Sequence, residues 1–187
     1  MKHIATLALM INLAIASVYA QQTPLKMTFS GTGAASPIDL KQPNTNTAEE
    51  NVAGNGTLGP FTFRDVRAIA TSPQPSSTCS GVFFPNVYGG GILRFQDGSL
   101  LRVNLKQGAD SGDCIDFVHL MAHCTLTFEI KGGTGRFQDA SGVLTYAETA
   151  TPVLFDLLGN VVLGTETGEI TGTISGVGRE GEQEQRQ

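Results

Sequence analysis

The chain has 187 residues, about the length of one domain. Its 12 Lys and Arg residues and 17 Asp and Glu residues give a formal net charge of −5, which disfavours nucleic acid as a partner because phosphate binding needs basic surface. Hydrophobic residues make up 40 % and charged residues 16 %, and 23 residues are glycine. This composition excludes a disordered chain and a long helix or coiled coil, and it favours a Gly- and Thr-rich all-β domain.

The chain begins with the pattern of a secretory signal peptide. Lys2 supplies the positive start, residues 4–16 are largely apolar, and Val18-Tyr19-Ala20 ends the segment with a small residue. The apolar stretch is shorter than the ~20 residues that a membrane span needs. We therefore expect cleavage after Ala20, a secreted or periplasmic protein, and no integral membrane segment in the mature chain.

Strand patterns occupy the first half of the mature chain. Residues 25–29 are typical of a first strand that stops at Gly31 and Gly33, and residues 36–55 are polar and turn-rich, which predicts a surface loop. Residues 57–70 predict a second strand. Residues 82–88 are apolar but interrupted by a proline.

Period-two alternation is clearest in the second half. Residues 101–106, 125–130 and 165–175 place apolar side chains on one face, and residues 143–148 and 161–163 add two more strands. Short strands separated by Gly-containing turns predict a barrel or a sandwich.

The domain boundaries follow from this pattern. We expect one β-barrel domain over residues 21–178, and a disordered tail over residues 179–187, which are charged and Gln-rich.

The register of one hairpin can be predicted. Asp97-Gly98 is a strong turn signal between two apolar segments. A two-residue loop would put apolar and charged residues on the same face. An odd-numbered loop centred on Gly98 pairs Phe95 with Leu101 and gathers the apolar residues on one face, so we predict an odd-numbered loop or a bulge.

Three cysteines follow the signal segment, and they allow one internal disulfide. Cys114 and Cys124 are ten positions apart, and the segment between them can double back as a strand pair or form a helical turn. Cys79 lies in a loop rich in Ser and Pro. We favour a Cys114–Cys124 disulfide, with Cys79–Cys114 as the alternative.

Other reactive residues give weak signals. His119 and His123 would share one face of a helix and suggest a zinc site, but their spacing relative to the cysteines favours a loop or hairpin held by a disulfide. Glu148, Glu166 and Glu169 could form paired carboxylates, yet acidic residues usually lie on solvated strand faces. We therefore predict no metal and no cofactor, and we name no catalytic or ligand-binding residue.

Two motifs carry a family resemblance. Residues 131–144 read KGGTGRFQDASGVL, which resembles the GGTGRF segment of allene oxide cyclase and dirigent proteins and of their bacterial secreted relatives. Residues 56–62, GTLGPFT, resemble an early-strand motif of those bacterial relatives. The resemblance implies an all-β fold, an eight-stranded antiparallel barrel of the calycin-like kind.

The same resemblance suggests a structural role for the glycine-rich segment. Gly132, Gly133 and Gly135 would form a corner at the barrel rim, where glycine permits positive φ and close backbone approach. Phe137 would plug the bottom or a corner of the barrel.

These observations give two hypotheses for function. The first is a secreted, non-catalytic barrel that binds a small apolar molecule or serves as an envelope module. The alternative is an isomerase or cyclase acting in the barrel lumen, as the resemblance implies. Buried ionisable groups beside a cavity would favour the enzyme, and an apolar or fully packed lumen would favour the first hypothesis.

Overall fold

A computed structural model describes residues 22–157 and 159–178 of the chain. The predicted signal peptide with its cleavage boundary (residues 1–21) and the predicted tail (residues 179–187) lie outside these residues. The described elements are β1 (Thr23–Ser36), β2 (Thr45–Gly56), β3 (Phe61–Ala70), β4 (Val82–Phe95), β5 (Leu100–Leu105), β6 (Gly112–Asp116), β7 (Met121–Gly133), a 3-10 helix (Gly135–Phe137), β8 (Ser141–Phe155) and β9 (Val161–Ser175). Within the described part, no helix is long and apolar enough to cross a bilayer.

Eight strands form a closed antiparallel barrel. Their order around the ring is β1, β2, β3, β4, β5, β7, β8 and β9, and β9 pairs with β1 to close it. The additional strand, β6, pairs with the first residues of β4 and of β7, past the end of β5. The prediction of an all-β, eight-stranded antiparallel barrel is confirmed. Closure leaves the ring without the free edges of an open sheet.

Strands β1 and β2 differ from the sequence predictions. β1 continues through its glycines, where neighbouring strands occupy the space that a Cβ would need. A Cβ on Gly31 would meet the Asn51 carbonyl oxygen, and one on Gly33 would meet the Glu166 side chain. β2 begins at Thr45, inside the segment predicted to be a loop. That prediction was wrong because it treated the polarity of β2 as a sign of exposure, whereas Glu50 on this strand is buried.

The β4–β5 hairpin has the predicted odd-numbered loop but a different register. The Phe95 N–H donates to the Ser99 carbonyl at 3.0 Å, so the loop has three residues and ends at Gly98, whose φ is +81°. Leu101 faces Leu93, not Phe95 as predicted. A shift of two residues keeps every side chain on its face, so the hydrophobic pattern could not detect the error.

The 3-10 helix covers one end of the barrel, which we call the plugged end. The Phe137 side chain is fully buried there, and its ring centroid lies 4.8 Å from that of Phe95. The Arg136 guanidinium lies over both rings, donates to the Leu58 carbonyl at 2.7 Å and forms an ion pair with Asp97 at 3.0 Å. These contacts fix the helix across the barrel end.

The glycine-rich corner leads into this plug. Gly132 and Gly135 have φ values of +72° and +57°. A Cβ on Gly133 would meet the Leu100 carbonyl oxygen. All three positions therefore resist a larger residue, while the structural role assigned to them stays a prediction that substitution can test.

An aromatic cluster fills the barrel next to the plugged end. The rings of Phe29 and Tyr146 stack at 4.5 Å, and Phe63 and Phe128 meet edge to face at 6.0 Å. Aliphatic side chains complete this core: Met27, Leu93, Leu101, Leu126, Leu144, Ile170 and Ile174. We call this region the aromatic half of the lumen.

Candidate functional site

The disulfide joins Cys79 to Cys114, with the two Cα atoms 5.5 Å apart, and Cys124 is free and buried. The favoured Cys114–Cys124 pairing was wrong, and the alternative is correct. Asp113 lies opposite Cys124 across the β6–β7 pair, and Cys114 lies opposite His123. Because side chains alternate between faces, Cys124 points into the barrel and Cys114 points out of it.

The two histidines of the cysteine-flanked segment lie in the β6–β7 hairpin. His119 is in the turn, with its Nδ1 2.7 Å from Asp116 Oδ2. His123 is on the outer face of β7, with its Nδ1 3.2 Å from Thr149 Oγ1. Both imidazoles are exposed and Cys124 is buried, so these three residues do not form one site.

A layer of polar side chains lies inside the barrel, on the side of the aromatic half that is away from the plugged end. It faces the end that carries the β1–β2, β3–β4, β6–β7 and β8–β9 loops, which we call the mouth. Each member is at most 7 % exposed. We call these residues the polar layer: Glu50, Asp65, Arg67, Asn86, Asp113, Glu148 and Glu166. The layer holds five carboxyl groups and one guanidinium, so it has a large excess of acid.

Strand alternation explains how two of the predicted carboxylates enter the lumen. Glu148 follows Leu144 and Tyr146 at every second position of β8, and both of these side chains are buried. Glu166 precedes Ile170 on β9 with the same spacing. The prediction that they lie on solvated faces was wrong. Only the third candidate, Glu169, has an exposed side chain.

Arg67 is the cation of the polar layer. Its guanidinium forms an ion pair with Glu50, and its Nε lies 3.3 Å from Asp65 Oδ2. Its Nη2 is also 3.7 Å from Glu148 Oε1. One guanidinium cannot neutralise five carboxyl groups, so burial of the layer also requires that some of its carboxyl groups be protonated.

Glu148 and Glu166 are neighbours with different surroundings. The Tyr146 hydroxyl donates to Glu148 Oε2 at 3.0 Å, and Arg67 is close to the other oxygen. Glu166 Oε2 is buried and has no hydrogen-bond partner among the described residues. Burial, and then the charge of Glu148, raise the pKa of Glu166 to about 8. Burial also raises the pKa of Glu148, against the opposing effect of Arg67.

Burial shifts the pKa of other groups in the layer and next to it in the direction of the neutral form. Burial and the nearby Glu148 carboxylate raise the pKa of Asp65 well above its usual value. The same two causes raise the pKa of the Tyr146 hydroxyl. Burial, followed by the charge of Asp113, raises the pKa of the Cys124 thiol, so this cysteine lacks the thiolate that a nucleophile needs.

The amide of Asn86 completes the polar layer on the β6 side. Its Nδ2 donates to Asp113 Oδ2 at 3.0 Å. Its Oδ1 is buried and has no hydrogen-bond partner within the described ranges. Several acceptors of the layer lack a hydrogen-bond partner among the described residues, and this oxygen and Glu166 Oε2 are two of them. Such oxygens can accept from a bound molecule that carries donors.

Small side chains lie in the lumen next to the polar layer, on its mouth side. Ala35 lies opposite Ala48 across β1 and β2, and Ala122 lies opposite Ala150 across β7 and β8. Alternation directs all four into the lumen, because Ala48 faces Arg67 and Ala150 faces Glu166. Three of the four are partly exposed. We call these four residues the alanine collar.

Three carboxylates of the layer are close enough to consider a metal ion. Glu50, Glu148 and Glu166 each place an oxygen within 4.8 Å of the other two. Hard cations such as Ca²⁺ accept such oxygen ligands. The Arg67 guanidinium, however, is already paired with Glu50 and would repel a divalent ion bound there. The donor set therefore fits proton exchange better than a metal.

A surface depression lies at the plugged end. It is an open pocket of 540 Å³, lined by Thr57, Leu58, Gly59, Pro60, Gln96, Asp97 and Arg136. Its one cation, Arg136, is engaged by the contacts that hold the 3-10 helix. The polar layer is therefore the stronger candidate site.

No family model, curated protein or solved structure matches the chain.

Proposed function

We propose that the protein is an isomerase or cyclase that performs acid–base chemistry on a small molecule in the lumen, at the polar layer. One observation carries this proposal: two adjacent buried carboxyl groups, Glu148 and Glu166, have environments that favour different protonation states. Such a pair supplies an acid and a base side by side at neutral pH.

The environments assign the two roles. Glu148 is the base, because the Tyr146 hydroxyl and the Arg67 guanidinium stabilise its carboxylate. Glu166 is the acid, because its Oε2 has neither kind of partner among the described residues and its pKa of about 8 leaves it protonated at neutral pH.

The proposed reaction is redox-neutral. Glu148 takes a proton from a carbon next to an electron-withdrawing group, the electron pair moves to form the new double bond or ring bond, and Glu166 delivers its proton to the substrate. The proton on Glu148 then returns to Glu166, whose nearest oxygen is within 4.8 Å. No oxidant, reductant or co-reactant is consumed.

The test uses the conversion of a β,γ-unsaturated cyclohexenone into its conjugated isomer, followed by ultraviolet absorbance, within a panel of related ketones. We expect Glu148→Gln and Glu166→Gln to lower the rate by about 10²–10⁴-fold. Glu169→Gln, on the outer face of β9, is the matched control and should leave the rate unchanged. A wild-type rate equal to that of buffer across the panel, or equal rates for all variants, contradicts the proposal.

A non-catalytic barrel that binds a small apolar molecule is the second candidate. The observation in its favour is the concentration of exposed apolar side chains at the mouth. The aromatic half is filled by its own side chains, so such a ligand would bind at the mouth. Binding of a fluorescent apolar probe that is indifferent to Glu148→Gln and Glu166→Gln, without turnover, would favour this candidate.

The family resemblance and export also stay proposals. The relationship to allene oxide cyclase and dirigent proteins rests on the two sequence motifs, and the barrel has the number of strands that the resemblance implies. The Cys79–Cys114 disulfide is compatible with an oxidising compartment outside the cytoplasm. Mass spectrometry of the protein from its host tests export: we expect Gln21, or its cyclised form, at the N-terminus. An intact Met1 form in the cytoplasm would contradict export.

A further inference from the structure

The exposed apolar side chains are distributed very unevenly. Of the eleven large hydrophobic residues that are exposed in the described part of the chain, ten lie at the mouth end. We call these ten residues the apolar rim: Ile38, Phe117, Val118, Leu120, Val153, Leu154, Phe155, Leu157, Val161 and Val162. The eleventh, Ile92, lies on the barrel wall in β4. Scattered exposed hydrophobics are normal, but a cluster at one end indicates contact with an apolar phase.

The β8–β9 hairpin contributes most of the rim because it is longer than its neighbours. The pairing of β8 with β7 ends at Ala150, and the pairing of β9 with β1 ends at Gly164. Beyond these residues the two strands pair only with each other, as far as Phe155 and Val161. The hairpin therefore projects past the barrel, and its Leu157 side chain at the tip is completely exposed.

A second apolar turn projects beside it. Phe117 and Val118, in the β6–β7 turn, are 61 % and 86 % exposed. Because β7 and β8 are neighbours, this turn and the hairpin occupy adjacent positions around the mouth. Ile38 in the β1–β2 loop extends the rim further around the mouth.

The charge near the mouth restricts the kind of surface. Within the described residues of the four mouth loops, Lys41 is the only Lys or Arg, whereas Asp39, Asp116 and Asp156 lie in these loops or next to them. Binding to anionic lipid relies on clusters of Lys and Arg, which this end does not have. Contact by apolar side chains alone suits a zwitterionic or neutral surface.

We propose that the apolar rim seats the mouth of the barrel on a zwitterionic lipid surface. Apolar side chains on separate projecting turns fit a fluid phase that closes around each turn, whereas a protein partner would need a matching groove for every turn. In this orientation the polar layer opens towards the lipid, from which a small molecule with an apolar body can enter. The seating itself does not depend on the acid–base chemistry.

The test is co-sedimentation of the disulfide-bonded protein with phosphatidylcholine vesicles. The variants are Leu157→Ser and Val118→Ser, singly and together, because these two most exposed side chains contribute least to the packing of the fold. We expect each to weaken vesicle binding by about tenfold. Ile92→Ser, which removes an exposed apolar side chain 47 % accessible on the barrel wall, is the matched control and should bind as the wild type does.

Several results would overturn the proposal. One is a wild-type protein that stays in the supernatant at millimolar lipid. Another is binding that needs anionic lipid and disappears with salt, and a third is an equal loss in the Ile92→Ser control. Sedimentation velocity without lipid covers the remaining alternative: a stable dimer that Leu157→Ser dissociates would assign the rim to a second copy of the chain. Melting temperatures of all variants confirm that the barrel is intact.

Discussion

The two halves of the lumen are built on the same strands but filled by opposite chemistry. In the aromatic half, side chains such as Phe63 and Phe128 are at most 1 % exposed and contact each other closely. In the polar layer the same degree of burial falls on Glu50 and Asp65, beside a single cation, Arg67. Burial stabilises the fold in the first case and opposes it in the second.

This difference separates the residues that hold the barrel together from those suited to chemistry. A buried carboxyl group without full hydrogen bonding costs free energy unless it takes up a proton. Glu166 shows this cost directly, since its buried Oε2 has no partner among the described residues and its pKa is raised to about 8. The aromatic half must offset that cost, and changes to either half should therefore have opposite effects on stability.

The largest expected effect is in the aromatic half. Phe63→Ala removes a ring that contacts Phe128 and Tyr146, and we expect the free energy of unfolding to fall by about 3–5 kcal/mol. Urea denaturation followed by tyrosine fluorescence measures it. A loss below about 1 kcal/mol would mean that the aromatic half is not the stabilising part of the lumen.

The second prediction concerns the glycine corner at the plugged end, next to the aromatic half. Gly132→Val places a β-branched residue at a φ of +72° and should cost about 1–3 kcal/mol, which lowers the melting temperature by several degrees. Gly132→Asn is the matched variant, because asparagine tolerates this conformation better, and it should cost less. Equal melting temperatures for the wild type and both variants would show that the corner has no structural role.

The polar layer should make stability depend on pH in an unusual direction. The pKa of Glu166 is about 8 in the folded protein, whereas a glutamate without such interactions has a pKa of 4.5. Between these two pH values the folded state therefore holds a proton that the unfolded state lacks. Stability should therefore fall as the pH rises through this range, by up to about 1.4 kcal/mol per pH unit for one such group. Urea midpoints between pH 5 and pH 9 measure this slope. A stability that rises over the whole range would contradict the burial of neutral carboxyl groups.

A single substitution sharpens the assignment to one residue. Glu166→Gln keeps the shape of the side chain but cannot ionise, so we expect it to flatten the pH dependence and to exceed the stability of the wild type by a margin that grows as the pH rises from 5 to 8. At pH 5 it should match the wild type. Glu169→Gln serves as the control, since its side chain is exposed. If both variants change the slope equally, the effect comes from overall charge and not from burial.

The sequence predicted the barrel better than the site. Alternation in residues 101–106 and 125–130 found β5 and part of β7, because each has one apolar and one polar face. The same rule failed for β2, where Glu50 occupies an inward position and makes the strand look solvated. Polar residues at inward positions form the candidate site, so the feature that hid β2 from prediction is also the feature on which the proposed function rests.

Glu148 could have been found from the sequence. It continues the inward series of Leu144 and Tyr146 on a strand that was predicted correctly, and reading that series one step further places it inside. The disulfide was harder, because choosing between Cys114 and Cys124 as partner of Cys79 requires knowing which cysteine faces outward. That depends on the pairing of β6 with β7, which no local pattern fixes.

The alanine collar offers positions that can change with little effect on the stability of the barrel. Ala35, Ala122 and Ala150 are partly exposed and lie outside the hydrophobic core, so a larger residue at one of them would take up space on the mouth side of the polar layer without disturbing the aromatic half. Such a substitution tests whether the size of the molecule that binds at the polar layer is limited at these positions. A small library at these positions would therefore vary the space beside Glu148 and Glu166 while leaving the two carboxyl groups in place.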